Sequence, residues 1–364
     1  MAISHRKTID NIHAYQPGKS VNAVRHLSKA NRVVKLASNE NALGPAVALS
    51  ELTQPDLIHV YPDYATTPLL PQLARFYGLV KENIILGNGS DELMTVVGLA
   101  YLEPGDEVLA SRHTFSQYRF VSHLMSAHYV EAPSTTTGGT DVGALISAIT
   151  PRTKVIFIAN PNNPTGTYLS TSEFERLMAA VPPSVMVVMD EAYYEYATAS
   201  DYPQTVPYLS RYPNLVIMRT FSKVYGLAGL RVGYGLANPK IIAQLLRVRQ
   251  PFNVNTVALV AASLALDRQD FVKKSVSLAD AQKTRLYLAL GEMGLRYVPS
   301  QGNFVMIDLP FSANVAYEKL LVHGVIVRPL TSFNLPLAIR VTVGAPPDNT
   351  QFLDGLRHLL SEAI

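Results

Sequence analysis

Short, continuous apolar runs recur between residues 83 and 220, with amphipathic stretches between them. Asn83–Leu86, Glu107–Ala110, Lys154–Ala159, Val185–Met189 and Leu215–Met218 each read as a strand buried on both faces, as the strands of a parallel sheet are. After the first of them, Leu93, Met94, Val97, Ala100 and Tyr101 fall at helical spacing. Ser90 or Asp91 is the expected N-cap of that helix, and Asp91 and Glu92 suit its first turn. Alternation of this kind predicts an α/β fold: a mostly parallel sheet covered by helices on both faces. Residues 46 to 80 hold two helical patches on either side of His59–Tyr64, and Ile241–Ala289 reads as long helices broken at Pro251–Asn255. Beyond that break the rhythm changes. Strands are expected at Phe304–Leu309, Val325–Val327 and Ala338–Val343, and helices at Asn314–Leu321 and Phe352–Leu360, a smaller α+β domain. The first 35 residues or so are polar and irregular, with a turn signal at Gln16-Pro17-Gly18 and a short strand near Val33–Ala37. The expected organisation is an arm over 1–38 that joins the small domain and a dimer interface, a large domain over 39–255, and a small domain over 256–364.

Composition narrows the classes of function. With 364 residues, 48% hydrophobic and 16% charged, the chain is expected to be globular with a large core. Its net charge of +3 comes without a run of Lys or Arg, so nucleic acid is not an expected partner. There is no cysteine, which excludes disulfides, thiolate metal ligands and a cysteine nucleophile, and no metal is expected. No apolar run approaches the ~18 residues that a membrane span needs. The start, M-A-I-S-H-R-K, lacks the apolar core of a signal peptide. A cytoplasmic protein with no membrane partner is the expectation.

The candidate chemistry gathers where these strands end. The Leu215–Met218 run leads into T-F-S-K-V-Y-G-L-A-G-L-R, residues 220–231, with Lys223 among hydroxyls and ahead of Arg231. A lysine at the end of a buried strand can act as an amine nucleophile when desolvation or a nearby cation lowers its pKa. Thr220, Ser222 and Arg231 are residue types that hold a phosphate. A nucleophilic lysine beside a phosphate cradle suggests pyridoxal phosphate. Taken alone, Lys223 reads equally as a solvated lysine in a glycine-rich loop, and Asp190 more readily as a helix cap. Other strand ends alter that balance: Gly87–Glu92, Thr114-Phe115, Asn160–Gly166 and Asp190–Tyr193 all fall at the edge where open α/β sheets bind ligands.

These blocks together carry a resemblance. Y-Q-P-G-K at Tyr15, L-A-S-N-E-N at Leu36, Y-P-D at Tyr61, G-N-G-S-D-E at Gly87, N-P-N-N-P-T-G at Asn160 and D-E-A-Y at Asp190 stand in order. The 220–231 stretch, P-F-N-V-N at Pro251, V-I-V-R at Val325 and I-R-V-T-V-G at Ile339 follow. From about Tyr15 to the C-terminus the chain resembles the fold-type-I pyridoxal-phosphate enzymes, with their aspartate aminotransferase-like fold, and within them the histidinol-phosphate aminotransferases. The resemblance implies that Lys223 attaches the cofactor and, once freed, carries a proton as general acid and base. It implies that Asp190 pairs with the pyridine nitrogen, a contact of up to about 4 kcal/mol at ~4 Å and an effective dielectric of ~20 before desolvation. Asn163 and Tyr193 resemble the donors to the ring's phenolic oxygen. Phe115 sits where the family stacks an aromatic ring, often a tyrosine. Ser222, Arg231 and Thr220, with the backbone N–H groups of Ser90 and Asp91 at a helix N-terminus, would hold the phosphate. The Asp91 carboxylate is then expected to point away. Tyr61 resembles the tyrosine that reaches the phosphate in the neighbouring subunit, which implies a homodimer with shared sites.

On the substrate side Arg340 resembles the clamp for an α-carboxylate, and Arg328 the ligand of a substrate phosphate, joined by Tyr15 of the other subunit. Asn39 is a further substrate-side candidate. The implied reaction is transamination between histidinol phosphate and 2-oxoglutarate/glutamate in histidine biosynthesis. Two departures border the substrate side: Phe333-Asn334 where many relatives have an aromatic residue and glycine, and Ala345-Pro346-Pro347 after Gly344 in place of a threonine. Substrate identity therefore stays open between histidinol phosphate, an aromatic amino acid, to which Phe115 and Phe333 are suited, and decarboxylation of threonine phosphate. A transcription regulator built on this fold is a poorer reading, since the residues before Leu36 are too few for a DNA-binding domain.

Overall fold

The computed structural model describes residues 3–12, 14, 18–28, 30–52, 59–63 and 67–362; Tyr15 and the Gln16-Pro17 part of the expected turn lie outside them. The strands are β1 (Val34–Lys35), β2 (Ile84–Gly87), β3 (Glu107–Ser111), β4 (His128–Ala132), β5 (Thr153–Ala159), β6 (Met186–Asp190), β7 (Leu215–Thr220), β8 (Gly233–Ala237), β9 (Tyr297–Val298), β10 (Phe304–Asp308), β11 (Val325–Ile326), β12 (Arg328–Pro329) and β13 (Ala338–Thr342). The helices are α1 (Val21–Arg25), α2 (Leu69–Tyr77), α3 (Ser90–Tyr101), α4 (Gln117–Leu124), α5 (Val142–Ser147), α6 (Thr171–Ala180), α7 (Pro239–Val248), α8 (Thr256–Leu266), α9 (Gln269–Glu292), α10 (Ala313–Val322) and α11 (Pro346–Glu362).

Seven strands form the central sheet in the order β2-β8-β7-β6-β5-β3-β4. All neighbours are parallel except β8, which runs antiparallel to both β2 and β7. The five expected strands are all present. β4 and β8 are additions to that expectation. β4 is an edge strand whose sequence, H-Y-V-E-A, is only partly buried and too polar to stand out. β8 reads G-Y-G-L-A, a pattern that glycine makes inconspicuous. Gly233 is there because of close approach: a Cβ on it would stand 2.8 Å from Ser90 N and 2.9 Å from Arg219 O. The same strand thus seats the N-terminus of α3 against the sheet.

One face of the sheet packs against α2, α6 and α8 in a core that includes Leu73, Ile156, Phe174, Leu177, Val187, Ile217 and Ala262. The other face packs against α3, α4 and α7 around Val97, Val121, Val155, Val188, Val216 and Leu245. α8, T-V-A-L-V-A-A-S-L-A-L, is apolar nearly all round, which is the pattern of a helix buried in a core. The Pro251–Asn255 break, expected as the domain junction, separates α7 from α8, but α8 still packs with the large sheet. The change of core comes later, along α9: Val272 and Ala279 face the first core, Leu286 and Leu290 the second domain's. That second core joins Val305, Ile307, Ile339, Val341, Leu320 and Phe352 over an antiparallel sheet ordered β12-β13-β10-β9. β1 pairs in parallel with β11, so the arm is fastened to the small domain. No described helix is long and apolar enough to cross a membrane.

Candidate active site

The carboxyl ends of β5, β6 and β7, the start of α3 and the facing strands of the small domain enclose a cavity of about 220 Å³. Ser90, Asp91, Phe115, Asn163, Asp190, Tyr193, Thr220, Ser222, Lys223 and Arg231 line it, as do Asn39, Arg328 and Arg340. Residues spread over 300 positions of sequence meet because those of the large domain follow strands or begin a helix at one sheet edge, while Arg328 and Arg340 face them from strands of the small domain.

One end of the cavity is suited to an anion. The N-cap of α3 is Gly89, not Ser90 or Asp91, and no side chain caps the helix. Its first N–H groups therefore look into the cavity with the positive end of the helix dipole. Gly89 has φ +83, and a Cβ there would lie 2.6 Å from Arg231 Nη2. Arg231 itself adopts the left-handed conformation, φ 57, which turns its guanidinium back over this glycine. Arg231 Nη1 donates to Ser222 Oγ at 3.3 Å, and Thr220 Oγ1 donates to Ser222 Oγ at 3.0 Å. The Asp91 carboxylate corrects an expectation. It does not point away: Oδ2 lies 3.5 Å from Arg231 Nη2, because the second residue of α3 faces the returning guanidinium.

The cavity also holds a buried acid. Asp190 closes β6 and is 5% exposed. Burial pushes its carboxyl up to about 7, opposed by the hydrogen bond from Tyr118. Tyr118 Oη donates to Asp190 Oδ2 at 2.8 Å, and the backbone N–H of Ala192 donates to Oδ1 at 3.3 Å. The Tyr118 ring is stacked on Phe157 at 4.8 Å, and Phe115 meets it edge-on at 5.8 Å. Sequence reasoning passed over Tyr118, since a tyrosine on the apolar face of α4 reads as core. Its place one helical turn after Phe115 was the available signal.

Lys223 lines the same cavity. Its Nζ donates to Ser38 O at 3.1 Å and lies 5.6 Å from the centre of the Tyr193 ring. Tyr193 Oη accepts from Asn39 Nδ2 at 2.9 Å. From the small domain, buried Arg340 donates through Nη1 to Asn163 Oδ1 and through Nη2 to Ala37 O, the latter at 2.7 Å. Arg328 is paired directly across from Arg340 in the β12–β13 ladder, so the two guanidinium groups share a wall at different depths. His113 Nδ1 lies 2.9 Å from Phe333 O, which ties the loop after β12 to the large domain. Asn334 has φ 59, a conformation that glycine and asparagine adopt most readily. The Phe333-Asn334 departure therefore keeps the backbone that an aromatic–glycine pair would give.

Tyr61 is outside its own chain's cavity. It is 76% exposed and stacks on Phe252 at 4.7 Å. Among the described residues, no three His, Asp or Glu side chains converge on a metal position. The donor set fits pyridoxal phosphate instead: a helix N-terminus, hydroxyls and a guanidinium suited to a phosphate, an amine in the same cavity, and a buried carboxylate suited to a ring nitrogen.

The chain matches the family aminotransferase class I and II over residues 31–356. It is 42% identical over 350 residues to histidinol-phosphate aminotransferase of Geobacillus thermodenitrificans, covering 96% of each protein. It is 43% identical over 361 residues to the enzyme of that name from Moorella thermoacetica, covering 98% of this chain and 93% of the relative. Among solved structures, histidinol-phosphate aminotransferase from Sinorhizobium meliloti in complex with pyridoxal-5'-phosphate aligns with a TM-score of 0.89 at 25% identity, covering 100% of this chain and 99% of that one. Aspartate aminotransferase from Thermus thermophilus with maleate aligns with a TM-score of 0.83 at 22% identity, covering 98% and 99%, a likeness of fold alone. The sheet order, the strand-end site and these matches along nearly the whole chain lead to one assignment: this protein has the aspartate aminotransferase-like fold and belongs to the aminotransferase class I and II family.

Proposed function

We propose that this protein is a pyridoxal-phosphate-dependent aminotransferase that exchanges an amino group between histidinol phosphate and 2-oxoglutarate/glutamate. The observation that carries the proposal is that Lys223 shares one cavity with an anion cradle and a buried carboxylate, which Arg340 and Arg328 of the other domain also line. Relatives at 42% and 43% identity that bear the histidinol-phosphate name support the choice of substrate.

When bound, pyridoxal phosphate supplies an electrophilic carbon and a ring that withdraws electrons from the reacting centre. The chain's own groups divide the remaining work. The N–H groups of Ser90 and Asp91, with Ser222, Thr220 and Arg231, anchor a phosphate dianion. Asp190, held ionised by a cationic partner and oriented by Tyr118, keeps the ring nitrogen protonated. Asn163 and Tyr193 would donate to the ring's phenolic oxygen. Lys223 Nζ would hold the cofactor at rest and, once freed, would take the proton from the substrate Cα as general base and deliver it as general acid to the cofactor's electrophilic carbon, so that the amino group stays with the cofactor. Phe115 would cover the ring face. Arg340 grips the α-carboxylate of glutamate in a two-point fork, and Arg328 takes the phosphate of histidinol phosphate. Tyr15 and Tyr61 of a second copy complete each site in a cytoplasmic homodimer; the exposure of the Tyr61 ring, outside its own cavity, supports this reading.

A second reading is supported by Phe115 and Phe333, which give the cavity two aromatic walls: transamination of phenylalanine or tyrosine. A comparison of kcat/KM for histidinol phosphate, phenylalanine and threonine phosphate separates the readings. The proposal predicts the highest value for histidinol phosphate with glutamate as product; a higher value for phenylalanine favours the second reading. Carbon dioxide from threonine phosphate would replace both.

A further inference from the structure

We infer that Asn39 is a positioning residue for Tyr193, and that it is held in that role by Thr342 of the small domain. This inference rests on the reading above, in which Tyr193 donates to the phenolic oxygen of the cofactor. Asn39 has φ 58, a left-handed conformation that costs a non-glycine residue energy unless its surroundings require it. Here three contacts fix it. Its N–H donates to Thr342 Oγ1 at 2.8 Å, and Thr342 Oγ1 in turn donates to Asn39 Oδ1 at 3.1 Å. Asn303 Nδ2 donates to Asn39 O at 3.1 Å. Asn39 is 1% exposed, so these bonds form away from solvent. Their result is that the amide Nδ2 is aimed at Tyr193 Oη, 2.9 Å away.

A phenol has one proton to give and lone pairs to receive with. The Asn39 amide can only donate to Tyr193 Oη, so the hydroxyl proton of Tyr193 is left to point elsewhere, toward the cavity. Without that amide, the hydroxyl can rotate and spend its proton on another acceptor. Asn39 thereby sets the direction of a donor that reaches the cofactor, without needing to touch the cofactor itself. Thr342 adds a connection across domains. It lies two residues beyond Arg340 on β13, and Arg340 Nη1 donates to Asn163 Oδ1. Both groups that face the phenolic oxygen are thus wired to one strand of the small domain, Asn163 through Arg340 and Tyr193 through Asn39 and Thr342.

The test uses the pH midpoint of the absorbance of the protein loaded with pyridoxal phosphate, without substrate. Donation to the phenolic oxygen favours the form lacking a proton there, so weakening the donor raises the midpoint. Asn39→Gly suits the left-handed backbone and removes only the amide. It should raise the midpoint by roughly 0.5–1 unit, a three- to ten-fold change in proton affinity. Thr342→Val, which keeps the side-chain shape, should move it the same way by less. In a Tyr193→Phe background neither change should add a further shift. A midpoint left unchanged in Asn39→Gly while Tyr193→Phe moves it would overturn the inference, and so would an Asn39→Gly shift that persists without the Tyr193 hydroxyl. If the unaltered protein shows no cofactor band at all, it is the cofactor reading itself that fails, and the inference with it. The Thr342→Val arm guards against a backbone effect of glycine, because it leaves residue 39 intact.

Discussion

The two walls of the cavity are built differently. The large-domain wall consists of side chains at the ends of strands buried on both faces, and nearly every polar group has a partner fixed by that sheet: Asp190 with Tyr118, Ser222 with Arg231 and Thr220. The small-domain wall has one deep group and one shallow group. Arg340 is buried and bonded to Asn163 and Ala37, whereas its ladder partner Arg328 is half-buried beside a loop that carries the residues departing from the family pattern. The proposal assigns cofactor chemistry to the wall built on the sheet, and choice of substrate to the wall whose loop can change at small cost to the core.

If that contrast holds, substitutions on the large-domain wall should affect every substrate and those on the other wall should separate them. The largest effect belongs to Lys223→Ala. Loss of the proton carrier should lower kcat by at least about 10⁴-fold for every amino donor, measured as glutamate formed. Retained turnover would remove Lys223 from the mechanism. Next is Arg340→Ala, which strips a buried fork from a carboxylate and should cost ~10²–10³-fold in kcat/KM toward glutamate. Arg340→Lys should restore little, since an ammonium cannot make the two-point contact.

Arg328→Ala should divide the substrates. A lost contact to a phosphate is worth about 10–100-fold, seen in KM for histidinol phosphate and scarcely in that for phenylalanine. Equal losses for both would put the phosphate elsewhere. The smallest effect concerns stability without cofactor. Burial holds the Asp190 carboxyl at about 7 in the folded chain, above the ~4 of an unfolded aspartate, so the folded state favours the protonated form. Stability is then lost as pH rises from roughly 4 through 7. Asp190→Asn removes this loss and should raise the Tm of the cofactor-free protein at pH 8 by a few degrees, with little change at pH 4. The same substitution should weaken pyridoxal phosphate binding, because the charge it removes is then needed. A lower cofactor-free Tm at pH 8 would contradict the burial argument.

The same contrast decides what could be read from sequence. Five buried strands announced themselves because a strand covered on both faces must be apolar throughout. The residues after them could be placed at one edge by fold logic alone. β4 and β8 stayed hidden for opposite reasons, one too polar at the sheet's edge and one too rich in glycine. The core's change of hands along α9 was missed because α8 and α9 continue one helical pattern across a break at Asp267 and Arg268 that lacks glycine or proline. Within the site, residue type was legible and direction was not. Asp91 turns toward Arg231 because of the conformation of Arg231, which no local pattern in its own helix reports. Asn39 faces Tyr193 because Thr342 and Asn303 hold it, both of them about 260 or more residues away in the chain. Tyr118 is a core tyrosine by every sequence criterion, and only packing shows its hydroxyl on Asp190.

Lys223 is the residue proposed to carry the cofactor. Loading the protein with pyridoxal phosphate, reducing it with borohydride and mapping the modified peptide by mass spectrometry tests this. The expected result is a phosphopyridoxyl group on Lys223, within the stretch from Thr220 to Arg231. A modification found at another lysine, with Lys223 unmodified, would contradict it.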